Sequence, residues 1–239
     1  MHRGGKAVLK SVNCCFDAPG RTLVIGPNGA GKSLFLMVCH GIVEPDAGLV
    51  LWPAQWEQAA IAKAQAMVFQ RPVLLRRSVE QNVDFPLQLR GLSRVERRSR
   101  VSWALHRTGL TRYAKAPARA LSFGEQQRLA LARAISTEPQ VLFLDEPCAS
   151  LDPAAAHLVE EIVLELSNAG VKIIMSSHDL SQAKRLADEV IFLYRGRIKE
   201  RAVATKFFEQ PENDLAQAFL NGELLWWRRR SVFETGACE

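Results

Sequence analysis

The chain has 239 residues, 48% hydrophobic and 23% charged, which is ample for a sizeable core. No run approaches the ~18 apolar residues of a bilayer crossing, and the opening MHRGGKAVLK lacks an apolar segment of signal-peptide type, so a cytosolic or membrane-peripheral protein is expected. Five cysteines without C-x-x-C spacing argue for free thiols rather than a disulfide framework or a zinc site.

RTLVIG at 21–26 is a short, filled apolar run of the kind buried on both faces of a sheet, and a helix is expected over 32–41. AQAMVFQ at 64–70 reads as a second strand. Helical patterns at 79–90 and 94–108 follow with no strand between them, so residues 71–120 are expected to form an inserted helical subdomain. Within that stretch, residues 90–119 carry nine Lys/Arg and one Glu, while the whole chain is only +6. This run reads either as a solvated helical face or as a surface for acidic lipid or a partner. Nucleic acid is not expected, because Trp103 and Tyr113 form no stacking pattern there.

Further helices are expected over 124–137, 153–169 and 179–187, the second of these opening on Asp152 as N-cap with Pro153 at its first position. Strands are expected at QVLFLDE (140–146), VKIIMSS (171–177) and DEVIFLYRG (188–196), with Arg195–Arg197 turning into an antiparallel strand. Alternating strands and helices imply an α/β fold with a mainly parallel sheet. The tail after residue 222, with Trp226 and Trp227 beside three arginines, reads as a membrane-surface segment or a frayed terminus.

GPNGAGKS at 26–33 fits G-x-x-x-x-G-K-[ST] directly after a strand and at the start of a helix. Gly26, Gly29 and Gly31 let the backbone curl so that successive N–H groups face one anion, and the helix dipole adds to the attraction. Lys32 then reaches the β- and γ-phosphates of ATP and the Ser33 hydroxyl holds Mg²⁺. VLFLDE at 141–146 brings Asp145 to a strand end as a second Mg²⁺ ligand, directly or through water, and Glu146 as the group that polarises the attacking water. His178, at the end of another buried strand, reads as a γ-phosphate sensor. Gln70, a neutral donor and acceptor, is placed to touch the metal or the water.

These pieces together resemble the ATP-binding subunit of ABC transporters over essentially residues 3–222, with its P-loop NTPase, RecA-like core. GPNGAGKS is similar to that family's Walker A, VFQ to its Q-loop, LSFGE to its signature, VLFLDE to its Walker B, SLDP to its D-loop and SSHD to its H-loop. The resemblance implies one ATPase domain over 1–222, with a core of 1–70 and 121–222, an antiparallel β portion and a helical subdomain of about 71–120. It implies a nucleotide-binding run of Gly26, Pro27, Asn28, Gly29, Ala30, Gly31, Lys32, Ser33 and Leu34. It also implies a head-to-tail homodimer in which Ser122, Gly124, Glu125 and Asp152 meet nucleotide between the copies. Partners implied are separate permease subunits and, indirectly, a periplasmic or extracellular substrate-binding protein. The expected location is the cytoplasmic face of the inner membrane.

The chain departs from that family's pattern at Phe123 and Glu125, at Leu34 where a threonine is usual, and in having no aromatic residue near its start for adenine. Phe123 is expected to pack on the helical subdomain, and His2 or Arg3 to stack on the base. Connecting segments such as SLDPAAAHLVEEI and AFLNGELLWW are similar to the ATPases of tungstate uptake systems, with molybdate and phosphate as alternative cargoes. A soluble ATPase acting on nucleic acid or ribosomes, and a weakly hydrolysing regulatory subunit, remain as rival readings.

Overall fold

The computed structural model describes residues 1–3, 6–16, 19–54, 56–149 and 151–223. The expectations for the tryptophan and arginine tail lie outside the described residues, as does Ser150 of the SLDP stretch. The side chains of His2 and Arg3, expected at the base, also lie outside them.

A hairpin of two short strands, β1 (His2–Arg3) and β2 (Lys6–Ala7), opens the chain. Next come β3 (Arg21–Ile25), α1 (Lys32–His40), α2 (Gln58–Ala64) and β4 (Gln65–Val68). α3 (Val79–Leu89) and α4 (Arg94–Arg107) lead through two 3₁₀ turns into α5 (Phe123–Ile135). The remainder runs β5 (Val141–Asp145), α6 (Pro153–Asn168), β6 (Lys172–Ser177), α7 (Leu180–Leu186), β7 (Glu189–Tyr194), β8 (Arg197–Val203), α8 (Ala204–Glu209) and α9 (Asp214–Leu220). The main sheet has the order β4-β5-β6-β3-β7-β8, parallel throughout except for the β7–β8 pair. Among the described residues no helix is long and apolar enough to cross a membrane.

The apolar strands are buried on both faces, and the period-two alternation of a strand divides them between two cores. Leu23, Ile25, Leu142, Leu144, Ile173, Met175, Val190 and Phe192 face the larger core, which α5, α6 and α7 cover. Their neighbours Val24, Phe143, Ile174, Ile191 and Leu193 face a smaller core with Leu34, Phe35 and Leu36 of α1. Register matters for the site. Ile25 pairs with Ser177 and Asp145 with Ser176, so β3, β5 and β6 end at one level and deliver their following residues to one edge.

The six helices expected from the sequence are present, with ends differing by a residue or two. Three others were not anticipated. α2 buries only Ala64, so it carries no apolar stripe to read, and α8 and α9, at six and seven residues, are shorter than a helical period needs to show itself. The basic run is largely tied down within the chain. Arg97 pairs with Asp84 at 2.8 Å, Arg100 with Glu138 at 2.9 Å, Lys115 with Glu80 at 2.7 Å and Arg107 with Glu165, while Arg90 Nη1 donates to the Thr137 carbonyl at 2.7 Å.

Candidate functional site

The loop between β3 and α1 takes a path that its glycines permit. Gly26 and Gly31 have φ of 149° and 104°, and a Cβ on Gly26 would sit 2.0 Å from the Leu193 carbonyl oxygen. The far side of the loop is held by the β7–β8 turn, where the Gly196 amide donates to the Ala30 carbonyl at 2.9 Å. α1 opens on Gly31, and Phe35 N is the amide that donates back to the Gly31 carbonyl, so the amides of Lys32, Ser33 and Leu34 belong to the unsatisfied first turn. Leu34 is 7% exposed and its side chain belongs to the smaller core, so what it can offer a phosphate is its backbone N–H. Lys32 Nζ donates to the Gly26 carbonyl at 2.9 Å and lies 3.5 Å from Glu146 Oε1. Its ammonium rests on oxygens that phosphate oxygens can replace.

At the end of β5, Asp145 is 4% exposed and its Oδ1 accepts from Ser33 Oγ at 3.0 Å and from Ser176 Oγ at 2.6 Å. Glu146 has a left-handed φ of 45°, a costly conformation for a residue with a Cβ, and its amide donates to Ser176 Oγ at 3.0 Å. That reversal turns the Glu146 side chain back over the loop. Its Oε2 accepts from Gln70 Nε2 at 3.1 Å and lies 3.0 Å from His178 Nδ1. The structure therefore gathers Gln70, Lys32 and His178 around one carboxylate, beside the Ser33–Asp145 pair. Gln127 Nε2 holds the Phe69 carbonyl at 3.2 Å, which fixes the segment carrying Gln70.

Ser176 is a functional residue the sequence reading passed over. The available signal was a serine pair ending an otherwise apolar strand, where a buried hydroxyl must find partners.

Ser122 is the N-cap of α5 in a capping box with Glu125: its Oγ accepts from the Glu125 amide at 3.3 Å and donates to Glu125 Oε2 at 2.9 Å. Hydrogen bonds from Tyr113 and then from Ser122 hold the Glu125 carboxyl below its ordinary range. Among the described residues these bonds stay within the turn and Tyr113, so Ser122, Gly124 and Glu125 form a second, separate site rather than joining the loop at Lys32. A Cβ on Gly124 would meet only Leu151 Cδ2, at 3.5 Å. Phe123 is 41% exposed at the head of α5. Asp152 caps α6 through the Ala155 amide at 2.9 Å.

A shallow recess of 770 Å³ runs along α4, far from these groups. The recess next to the chemistry has 470 Å³ and is bounded by Glu146, Cys148, Glu160, His178 and Gln182. Ser33 Oγ and Asp145 Oδ1 are hard oxygen donors suited to Mg²⁺. Among the described residues no three His, Cys, Asp or Glu are grouped to hold a metal, so an ion held by Ser33 and Asp145 would draw its other ligands from Gln70, phosphate oxygens and water.

The ABC transporter family profile matches residues 9–149. The phosphate import ATP-binding protein PstB 2 of Natronomonas pharaonis is 34% identical over 93% of this chain and 84% of its own length. The tungstate uptake system ATP-binding protein TupC of Peptoclostridium acidaminophilum is 36% identical over 82% of this chain and 92% of its own. A dimeric ATP-binding cassette in a post-hydrolysis state, bound to ADP and Pi, superposes with a TM-score of 0.74 at 26% identity, covering 82% of this chain and 90% of that chain. The profile over more than half of the chain and the relatives that match most of it agree: the chain belongs to the ABC transporter family, as one of its ATP-binding subunits, an ATPase.

Proposed function

We propose that the protein energises uptake of an oxyanion, tungstate or phosphate, by hydrolysing ATP as a pair of identical copies bound to separate permease subunits at the inner face of a membrane. The observation that carries the hydrolytic part is the convergence of Gln70, Lys32 and His178 on the Glu146 carboxylate. Lys32 and the first-turn amides of α1 bind the phosphates. Mg²⁺, held by Ser33 and Asp145 with Gln70 at hand, would neutralise charge on the β- and γ-phosphates. Glu146 takes the proton of the attacking water, which Gln70 orients, and His178 meets the γ-phosphate.

The second copy supplies what one chain lacks. Ser122 and Gly124 open α5 with a positive helix end that bonds to nothing on its own loop at Lys32. Facing copies bring it over the neighbour's ATP, with Glu125 alongside and Asp152 between the two sites. The dimeric cassette that superposes on this chain supports the pairing. Residues 1–222 act as one ATPase domain. Its helical portion, about 71–120, follows Gln70 and passes closure to the permease.

Cargo rests on resemblance alone, since the transported ion never touches this subunit. Relatives named for tungstate and for phosphate match at 36% and 34% identity, and molybdate shares their chemistry. One observation favours a weakly hydrolysing regulatory variant of the same subunit: the Ser122 hydroxyl is turned into the Glu125 carboxylate.

The test is purification of Glu146→Gln from native membranes with ATP. A dimer holding two ATP and bringing down a polytopic permease is expected, and the companion binding protein is then titrated with tungstate, molybdate and phosphate. A nucleotide-free monomer would overturn the sandwich. Recovery with ribosomes or nucleic acid, and no membrane partner, would overturn transport.

A further inference from the structure

The wall of the 470 Å³ recess carries a polar chain with no described hydrogen bond to Lys32, Ser33, Asp145 or Glu146. Ser177 Oγ donates to Gln182 Oε1 at 2.9 Å, and Gln182 Nε2 donates to Glu160 Oε1 at 3.1 Å. Arg185 grips the same carboxylate with Nη2 at 2.8 Å and Nε at 3.3 Å. Ser177, Gln182 and Glu160 are all buried, at 3%, 4% and 7% exposure. Stability alone is a poor reason for such a chain, because the Arg185 side chain is 56% exposed and an ion pair with one partner in solvent contributes little.

The chain has a direction. A carboxylate gripped by a guanidinium accepts hydrogen bonds, so Gln182 must present its nitrogen to Glu160 and its oxygen to Ser177. Ser177 must then give its proton to Gln182, which leaves its lone pairs for the Asp179 amide at 3.1 Å. Ser177 and Asp179 flank His178. The His178 side chain is 55% exposed, so packing does not aim the ring, and its described hydrogen bond is to Glu146 Oε2 alone. The backbone turn that carries the ring is pinned by Ser177, whose Oγ accepts from the Asp179 amide.

We infer that Glu160, Gln182 and Arg185 are positioning residues for His178, setting its Nδ1 against Glu146 through the Ser177 hydroxyl. The inference rests on the catalytic role proposed for His178. Misplacement of a reacting group by ~1 Å can cost ~100-fold in rate. Nucleotide binding at the loop between β3 and α1 is untouched by this chain, so the loss falls on kcat and spares KM.

The experiment is steady-state ATP hydrolysis by the full-length protein carrying Gln182→Met, which keeps the volume and removes the side-chain hydrogen bonds to Ser177, Glu160 and Cys148. A kcat fall of ~10-fold with KM for ATP within ~2-fold is expected. Glu160→Leu, which fills the buried position, with Arg185→Met at the exposed end, should fall by a similar factor and guards against a folding defect in the first variant. His178→Ala closes a double-mutant cycle: on that background Gln182→Met should cause no further loss. Losses that multiply, a KM rise matching the kcat fall, or an unchanged kcat in both network variants would overturn the inference while His178 keeps its role. An unchanged kcat in His178→Ala itself would instead overturn the role of His178, and the inference with it.

Discussion

Ser176 Oγ stands 2.6 Å from Asp145 Oδ1 and 3.0 Å from the Glu146 amide, so one hydroxyl on β6 sets both acidic residues at the end of β5. Ser176 is fully buried and pairs with Asp145 in the sheet register. Its loss would leave the Glu146 amide without a side-chain acceptor in a residue already held at positive φ. Ser176→Ala removes two hydrogen bonds but leaves the Ser176 carbonyl accepting from the Glu146 amide and Ser33 donating to Asp145, so unfolding free energy should fall by ~1–2 kcal/mol. It should also reduce kcat, as read from denaturant melts and ATP turnover on the same sample. Unaltered turnover would show that Glu146 needs no such support.

Glu146→Gln keeps the shape that Gln70 and His178 contact and removes the carboxylate proposed as the base. Hydrolysis should fall by ~10²–10⁴-fold with ATP still bound, as a single-turnover assay with filter-bound nucleotide would show. Turnover at the wild-type rate would take the role of base away from Glu146.

Two glycines of the loop between β3 and α1 separate steric from conformational need. Gly26→Ala would drive a Cβ to 2.0 Å from the Leu193 carbonyl oxygen, against backbone that cannot step aside, so loss of ATP binding and ~3 kcal/mol or more of stability is expected. Gly29→Ala meets nothing within 4 Å and bears only the strain of φ 77°, ~1–2 kcal/mol. Equal melting shifts for the two variants would contradict this account.

Glu125 places a carboxylate where the head of α5 is proposed to meet the phosphate of the facing copy. Glu125→Gln preserves the capping box and removes the charge. ATP-driven dimerisation should tighten several-fold at low salt and less at high salt, measured by sedimentation. Weaker dimerisation would instead make the carboxylate a contributor to the closed pair.

Burial pushes the Cys148 thiol up to about 11, beside the recess that Glu146 and His178 border. Since the thiolate is the nucleophile, its alkylation by iodoacetamide should rise about tenfold per pH unit from pH 7 to 10 without levelling off. A plateau below pH 9, followed by peptide mass spectrometry, would place the thiol in a less buried setting.

Much of this was legible along the chain because the chemistry is local. The glycine loop, the apolar strand running into Asp145 and Glu146, and the strand ending at His178 each announce themselves within eight residues, as the predicted strands and helices show. Ser176, Gln127 and the Glu160–Gln182–Arg185 chain did not, because a buried serine or glutamine looks the same in sequence whether it meets solvent or a partner from another element. Phe123 is apolar in the sequence, yet the structure leaves it 41% exposed.

The sequence by itself determined the class of fold and the phosphate-binding chemistry, since short filled apolar runs between helical patterns and the spacing of glycine, lysine and serine are short-range physical demands. Only the tertiary structure decided that β3, β5 and β6 end at one level, that the β7–β8 turn braces Ala30, and that Gln70, Lys32 and His178 meet on one carboxylate. Those contacts join residues up to 166 positions apart, through Gly196 and Ala30, and sheet register and side-chain packing, which no local pattern encodes, bring them together.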